Sequence, residues 1–150
     1  MIIWFTGQPG AGKSVLGQVL VARLRTHRAV IHLDGEMLRK ATHNSHYGLM
    51  GRRANVEAMI GLASALEAQD FWIVVTMVSP FRDQRESIKT ARQAVEVYVH
   101  TAEQRGREMY FAKDYEPPEA NYIDIDTTNI TIADSSRQLW TALLAKSLVQ

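Results

Sequence analysis

The sequence predicts an α/β fold of three layers: a parallel sheet of about five strands with helices on both faces. Three observations carry this. Short apolar runs rich in β-branched residues alternate with stretches of helical periodicity, and such alternation builds a parallel sheet through right-handed crossovers. A glycine-rich turn, Gly7-Gln8-Pro9-Gly10-Ala11-Gly12-Lys13-Ser14, joins the first strand to the first helix. The length of 150 residues, with 46% hydrophobic and 22% charged content, suits a single globular domain over residues 1–150.

Met1 to Thr6 reads as a short buried strand, and Val15 to Arg25 carries apolar residues at helical spacing. Val30 to Leu33 is a second strand, ending at Asp34-Gly35-Glu36. A helix is expected from Arg53 to Ala68, with Val56, Met59, Ile60, Ala63 and Leu66 on one face. Phe71 to Val78 has the near-continuous apolar character of a central strand covered on both faces, and Pro80 ends it. Asp83 to Arg92 follows as a polar surface helix, Ala94 to Val99 as a fourth strand and Asn121 to Ile125 as a fifth. Asp134 or Ser135 caps a last amphipathic helix running to Leu148. The polar stretch 101–120 holds Pro117-Pro118 and has no clear period. A long loop in that position is usually functional, which makes it a lid candidate.

In open parallel sheets ligands bind beyond the carboxyl ends of the strands. Gly7 to Ser14, Asp34 to Arg39, Met77 to Arg85 and the residues from His100 onward should therefore face one crevice. The composition narrows the partners. A formal charge of +1 gives no global pull toward nucleic acid or an anionic membrane, and no apolar run approaches the ~20 residues of a membrane span. The N-terminal stretch lacks the basic segment of a signal peptide. Zero cysteines exclude disulfides and thiolate metal sites and fit a cytoplasmic location.

The chemistry of the glycine-rich turn is specific. It is a complete phosphate-binding P-loop in its confirming strand-to-helix context. The glycines let successive N–H groups face one phosphate, and the helix N-terminus adds its positive dipole end. Lys13 is placed to bridge the β- and γ-phosphates, and the Ser14 hydroxyl to ligate Mg²⁺. A nucleoside triphosphate is the expected ligand. No base-reading Asn-Lys-x-Asp run marks a GTPase switch, and Phe71 to Val78 ends in Ser79-Pro80 rather than in an acid. The carboxylates at a suitable strand end are Asp34 and Glu36. That pattern suits a small-molecule kinase, in which one carboxylate positions Mg²⁺ through water and the other accepts the proton of an attacking hydroxyl. Arg39, Arg52, Arg82 and Arg85 all fall in crevice segments, and guanidinium groups match phosphate or sulfate oxygens.

Four motifs then occur in order: Asp34-Gly35-Glu36-x-x-Arg39, Arg52-x-x-Asn55, Ser79-Pro80-Phe81-Arg82-x-x-Arg85, and Tyr115-Glu116-Pro117-Pro118-Glu119 before Asp126-Thr127. With the P-loop they resemble the adenylylsulfate kinase family over nearly the whole chain. The resemblance implies a P-loop kinase fold, Mg²⁺ as cofactor, ATP as donor and a homodimer, and transfer of the γ-phosphoryl group to the 3′-hydroxyl of adenosine 5′-phosphosulfate. Carried over by motif, Lys13, Asp34 and Glu36 are catalytic, Glu36 lying near the acceptor hydroxyl. Ser14 and Asp34 organise Mg²⁺, and ATP meets the P-loop, Val15 and Arg105. Asp34, Arg39, Arg52, Asn55, Ser79, Pro80 and Arg82 border the acceptor, with Arg85 nearby.

The chain departs from the family pattern at three places. Asp-Gly-Asp is Asp-Gly-Glu here, the aromatic of a Gly-Phe element is Leu49 after Gly48, and the long lid is cut to Arg105–Asp114. Loss of a stacking aromatic is worth ~1–3 kcal/mol per base by analogy with single-strand binding sites; Tyr47, Tyr110 and Phe111 are candidates to compensate. Two further readings stay open: a family kinase with a different nucleotide or small hydroxyl acceptor, and a regulatory nucleotide-binding domain that has lost transfer. His43-Asn44-Ser45-His46 lacks a third ligand and reads as a polar loop. Trp4, Trp72 and Trp140 are expected in the core, and Met109-Tyr110-Phe111 is either a clamp on a base or a self-association surface.

Overall fold

Alternating side chains on the first strand divide the interior in two. In the computed structural model, which describes residues 1–149, Ile3 and Phe5 of strand β1 (Ile2–Thr6) point into one apolar cluster, and Ile2 and Trp4 into another. Helix α1 (Lys13–Leu24) covers the first cluster with Leu16, Leu20, Val21 and Leu24. Helix α5 (Ile132–Ala145) adds Leu139 and Leu143. Val56, Met59 and Ala63 of α3 (Leu49–Glu67) and Ile88 of α4 (Arg82–Ala91) close the second cluster.

The other strands are β2 (Val30–Asp34), β3 (Trp72–Thr76), β4 (Ala94–His100) and β5 (Tyr122–Asp126). All pairings are parallel, in the order β2-β3-β1-β4-β5. The expected three-layer sheet is therefore the observed one. Its register brings Thr6, Asp34 and Thr76 to the same carboxyl edge, since Asp34 pairs with Thr76 and Phe5 with Thr76 one residue before Thr6.

Most boundaries shift by one or two residues, β3 for example spanning Trp72–Thr76 rather than Phe71–Val78, and the larger differences lie elsewhere. A short helix α2 (Gly35–Ala41) follows β2 directly, started by Asp34, whose carboxylate accepts from the Glu36 and Met37 N–H groups. Helix α3 begins at Leu49 rather than Arg53: Gly48 caps it, its carbonyl accepting from Arg52 N at 2.9 Å. The last helix is capped by Thr131, not Asp134 or Ser135, with the Thr131 hydroxyl accepting from Asp134 N at 3.1 Å, and it stops at Ala145 rather than Leu148. The 101–120 segment holds one 3₁₀ turn, Glu108–Tyr110. Of the three tryptophans only Trp4 is fully buried; Trp72 and Trp140 pack partly buried against the core beneath Arg28 and Arg23. Among the described residues no helix is long and apolar enough to cross a membrane.

Arg85 is a structural arginine. Its Nε donates to Glu96 Oε1 at 2.6 Å with both side chains 1% exposed, and Lys89 donates to the other carboxylate oxygen at 2.7 Å. The same guanidinium donates to the carbonyls of Ser79 and Glu116. One buried charge thus ties the turn after β3 to the end of the 101–120 segment.

Candidate active site

The P-loop turn is enforced by backbone geometry. Gly7 has φ +144, and a Cβ there would lie 2.0 Å from the Val99 carbonyl oxygen, so no larger residue fits the strand-to-loop exit. The chain then wraps to the start of α1, where Lys13 is buried and its Nζ donates to the Gln8 carbonyl at 2.8 Å. Burial is the main reason that the Lys13 ammonium is pushed down to about 8; Arg107 adds to the shift and Asp34 opposes it.

Asp34 is the hub of the site. Oδ1 caps α2, while Oδ2 accepts from Ser14 Oγ at 3.2 Å and from Thr76 Oγ1 at 2.9 Å. Because Thr76 spends its proton on Asp34, it accepts from His32 Nε2 at 2.9 Å, and burial keeps the His32 pKa below its ordinary value. A hydroxyl and a carboxylate converging within hydrogen-bond distance form a hard-oxygen pair, which fits Mg²⁺, an ion that keeps much of its water. Two residues on, the exposed Glu36 carboxylate accepts from the Tyr47 hydroxyl at 3.0 Å.

Arg39 and Arg52 stand on the opposite wall. Arg39 is 7% exposed, and its Nη1 donates to three oxygens of the 44–46 loop. Its guanidinium lies 4.2 Å over the Tyr47 ring, while Nε and Nη2 have no protein acceptor among the described residues. Arg52 Nε donates to Tyr47 O at 2.7 Å; burial and the neighbouring Arg39 lower its pKa. Asn55, 4% exposed, donates to Gly35 O at 3.3 Å, and its Oδ1 has no partner among the described residues. Ser79 closes the floor in a left-handed conformation, φ +44, unusual for a residue before proline. Trp4 Nε1 holds its hydroxyl at 2.9 Å and Arg85 its carbonyl, so the surrounding structure fixes the strained turn.

These groups share one cavity of about 570 Å³. Pro9, Gly10, Lys13, Ser14, Asp34, Glu36, Arg39, Arg52, Asn55, Ser79 and Pro80 line it, with Tyr47, Thr76, Arg107, Met109–Phe111 and the apolar floor of Gly35, Val56, Met77 and Val78 completing the wall. Gly7, Gln8, Ala11, Gly12 and Val15 do not line it. Arg105 lies behind the P-loop, donating to the carbonyls of Gly10, Ala11 and Thr127. Arg82 lies outside the cavity, its guanidinium taken by Pro117 O at 3.0 Å and Glu119 at 2.6 Å. Leu49 is absent from this cavity and lines a smaller adjoining one of about 240 Å³. Sequence reasoning missed Arg107, whose side chain packs 3.2 Å from where a Gly10 Cβ would sit. The signal lay in Arg105-Gly106-Arg107, where Gly106 takes φ +72 and turns the segment.

A family model described as "Adenylylsulphate kinase" matches residues 1–124. A cytidine diphosphoramidate kinase of Campylobacter jejuni is 28% identical over an alignment of 131 positions that takes in 83% of this chain and 77% of that protein. An adenylyl-sulfate kinase of Rippkaea orientalis is 27% identical over an alignment of 162 positions, gaps included, covering 94% and 90% of the two chains. Among solved structures, the hexameric APS kinase from Thiobacillus denitrificans superposes with a TM-score of 0.80 at 26% identity. That match takes in 99% of this chain and 29% of that one.

Proposed function

This chain belongs to the adenylylsulphate kinase family, and from that premise we propose that it transfers the γ-phosphoryl group of ATP to the 3′-hydroxyl of adenosine 5′-phosphosulfate. The family makes it a phosphotransferase with an alcohol group as acceptor. One observation carries the finer reading. A single cavity holds the triphosphate-binding Lys13 and Ser14, the carboxylates of Asp34 and Glu36, and the anion-seeking Arg39 and Arg52.

Each residue has a role that its geometry supports. The P-loop N–H groups and Lys13 hold the donor phosphates, and Lys13 leaves its resting bond to Gln8 O when a phosphate oxygen replaces that carbonyl. Ser14 and Asp34 would hold Mg²⁺, which when bound neutralises charge on the β- and γ-phosphates. Arg39 offers its free Nε and Nη2 donors to the acceptor's 5′-anionic group, next to Arg52. The unpaired Asn55 Oδ1 is an acceptor for a ribose hydroxyl. Glu36 takes the proton of the 3′-hydroxyl as that oxygen bonds to the γ-phosphorus and the bond from phosphorus to the bridging oxygen of ADP breaks. In such a loose transition state alignment and charge neutralisation outweigh the base. On the same reading the enzyme works in the cytoplasm as a homodimer.

A second reading keeps the reaction and changes the acceptor to another nucleotide with a 5′-anhydride. Leu49 supports it, standing 52% exposed and off the main cavity where the family pattern has a stacking aromatic, as does the Campylobacter relative. Parallel assays with Mg-ATP and either adenosine 5′-phosphosulfate or cytidine diphosphoramidate separate the two. A kcat/KM at least tenfold higher for the adenylyl acceptor supports the first reading, and the reverse preference replaces it with the second.

A further inference from the structure

Gln8 occupies a P-loop position whose contribution to phosphate binding is its backbone, yet its side chain makes a two-point contact elsewhere. Its Nε2 donates to Ala112 O at 2.9 Å, and its Oε1 accepts from Ala112 N at 2.9 Å. Ala112 is 5% exposed, so its peptide groups depend on protein partners; the Gln8 amide bonds both as a neighbouring strand would, and the carbonyl accepts a second bond from Tyr115 N at 3.2 Å, leaving the Ala112 N–H as the group that, among the described residues, Gln8 alone satisfies. The backbone carbonyl of the same residue accepts the Lys13 ammonium at 2.8 Å. Ala112 directly follows Tyr110 and Phe111, which wall the acceptor side of the cavity. Farther along, Tyr115 bonds Thr6 across 2.9 Å. Gln8 and Thr6 thus bind the 101–120 segment to the strand-and-loop unit that binds the donor.

We propose that Gln8 is a positioning residue for the acceptor site: its side-chain amide fixes Ala112, and through it the Tyr110-Phe111 wall, relative to the donor phosphates. The proposal rests on the reading of this cavity as a two-substrate kinase site. It assigns the P-loop a second task, in which backbone groups serve ATP and one side chain serves the acceptor. A short lid of this kind needs no long excursion of its own to keep register.

The test compares wild type with Gln8→Leu, which keeps the bulk and removes both bonds, and with Gln8→Glu, which keeps an oxygen acceptor for Ala112 N and loses the donor to Ala112 O. The readouts are KM for each substrate and amide hydrogen exchange at Ala112 by NMR. In Gln8→Leu the acceptor KM should rise about tenfold, KM for ATP should move less than threefold, and Ala112 should lose protection; Gln8→Glu should fall between. Ala112 protection unchanged in Gln8→Leu, or an unchanged acceptor KM beside lost protection, overturns the proposal. Should wild type phosphorylate no nucleotide acceptor, the kinase reading fails, while exchange at Ala112 still decides whether Gln8 holds the segment.

Discussion

The Tyr47 hydroxyl donates to the Glu36 carboxylate at 3.0 Å, and the Tyr47 ring lies 4.2 Å beneath the Arg39 guanidinium. One aromatic side chain therefore orients both the proposed base and the proposed anion ligand. Glu36 is one methylene longer than the aspartate of the family pattern, and the Tyr47 bond restrains the added rotor. The carboxylate in turn makes the phenol harder to ionise, its pKa raised chiefly by that hydrogen bond.

Tyr47→Phe should lower kcat about three- to tenfold with little change in KM for ATP. Glu36→Gln should lower kcat by roughly 10- to 100-fold, at the low end of general-base effects because the transition state is loose. If the two act as a unit, the double variant is no worse than Glu36→Gln alone. Steady-state kinetics on the four proteins measures this.

Lys13→Ala should cost on the order of 10³-fold in kcat, the scale for removing a preorganised charge from a transition state. Circular dichroism should show an unchanged fold, since burial of the ammonium disfavours its charge in the ligand-free protein.

Proton linkage at Lys13 has a definite sign. With its pKa pushed down to about 8, the lysine is about half neutral in the free protein at pH 8. Bound phosphates favour the ammonium, so ATP-analogue binding takes up protons there and weakens as pH rises further. Calorimetry in two buffers of different ionisation enthalpy should read an uptake of up to about half a proton at pH 8 and almost none at pH 6.

The buried Arg85–Glu96 pair is a stability determinant outside the chemistry. Arg85→Met strands Glu96 with Lys89 alone and releases the Ser79 and Glu116 carbonyls. The expected cost is about 3–5 kcal/mol, a fall in Tm of roughly 10 °C for a chain of this size. Thermal melts of Arg85→Met and of Arg85→Met with Glu96→Leu check it, the double variant recovering part of the loss.

Legibility in the sequence followed how local each signal was. The P-loop, the five strands and Asp34 with Glu36 announce themselves within short windows, and the sheet carries all of them to one edge. Helix α2 was hidden because Asp34-Gly35 reads equally as a turn, and only the bonds from Glu36 N and Met37 N to its carboxylate mark a cap. The arginines could not be sorted from their positions. Arg39 and Arg52 line the cavity, whereas Arg85 finds Glu96 eleven residues on and Arg82 finds Glu119 thirty-seven residues on. The Gln8–Ala112 pairing spans 104 residues and uses a backbone partner, so no residue type in the sequence signals it.

Phosphorus NMR of the products formed from Mg-ATP and adenosine 5′-phosphosulfate tests the proposed transfer itself. The expected products are ADP and one new 3′-phosphomonoester in equal amounts, both abolished by Lys13→Ala. ATP that binds without yielding a phosphorylated nucleotide, or ADP that accumulates with inorganic phosphate alone, would contradict it.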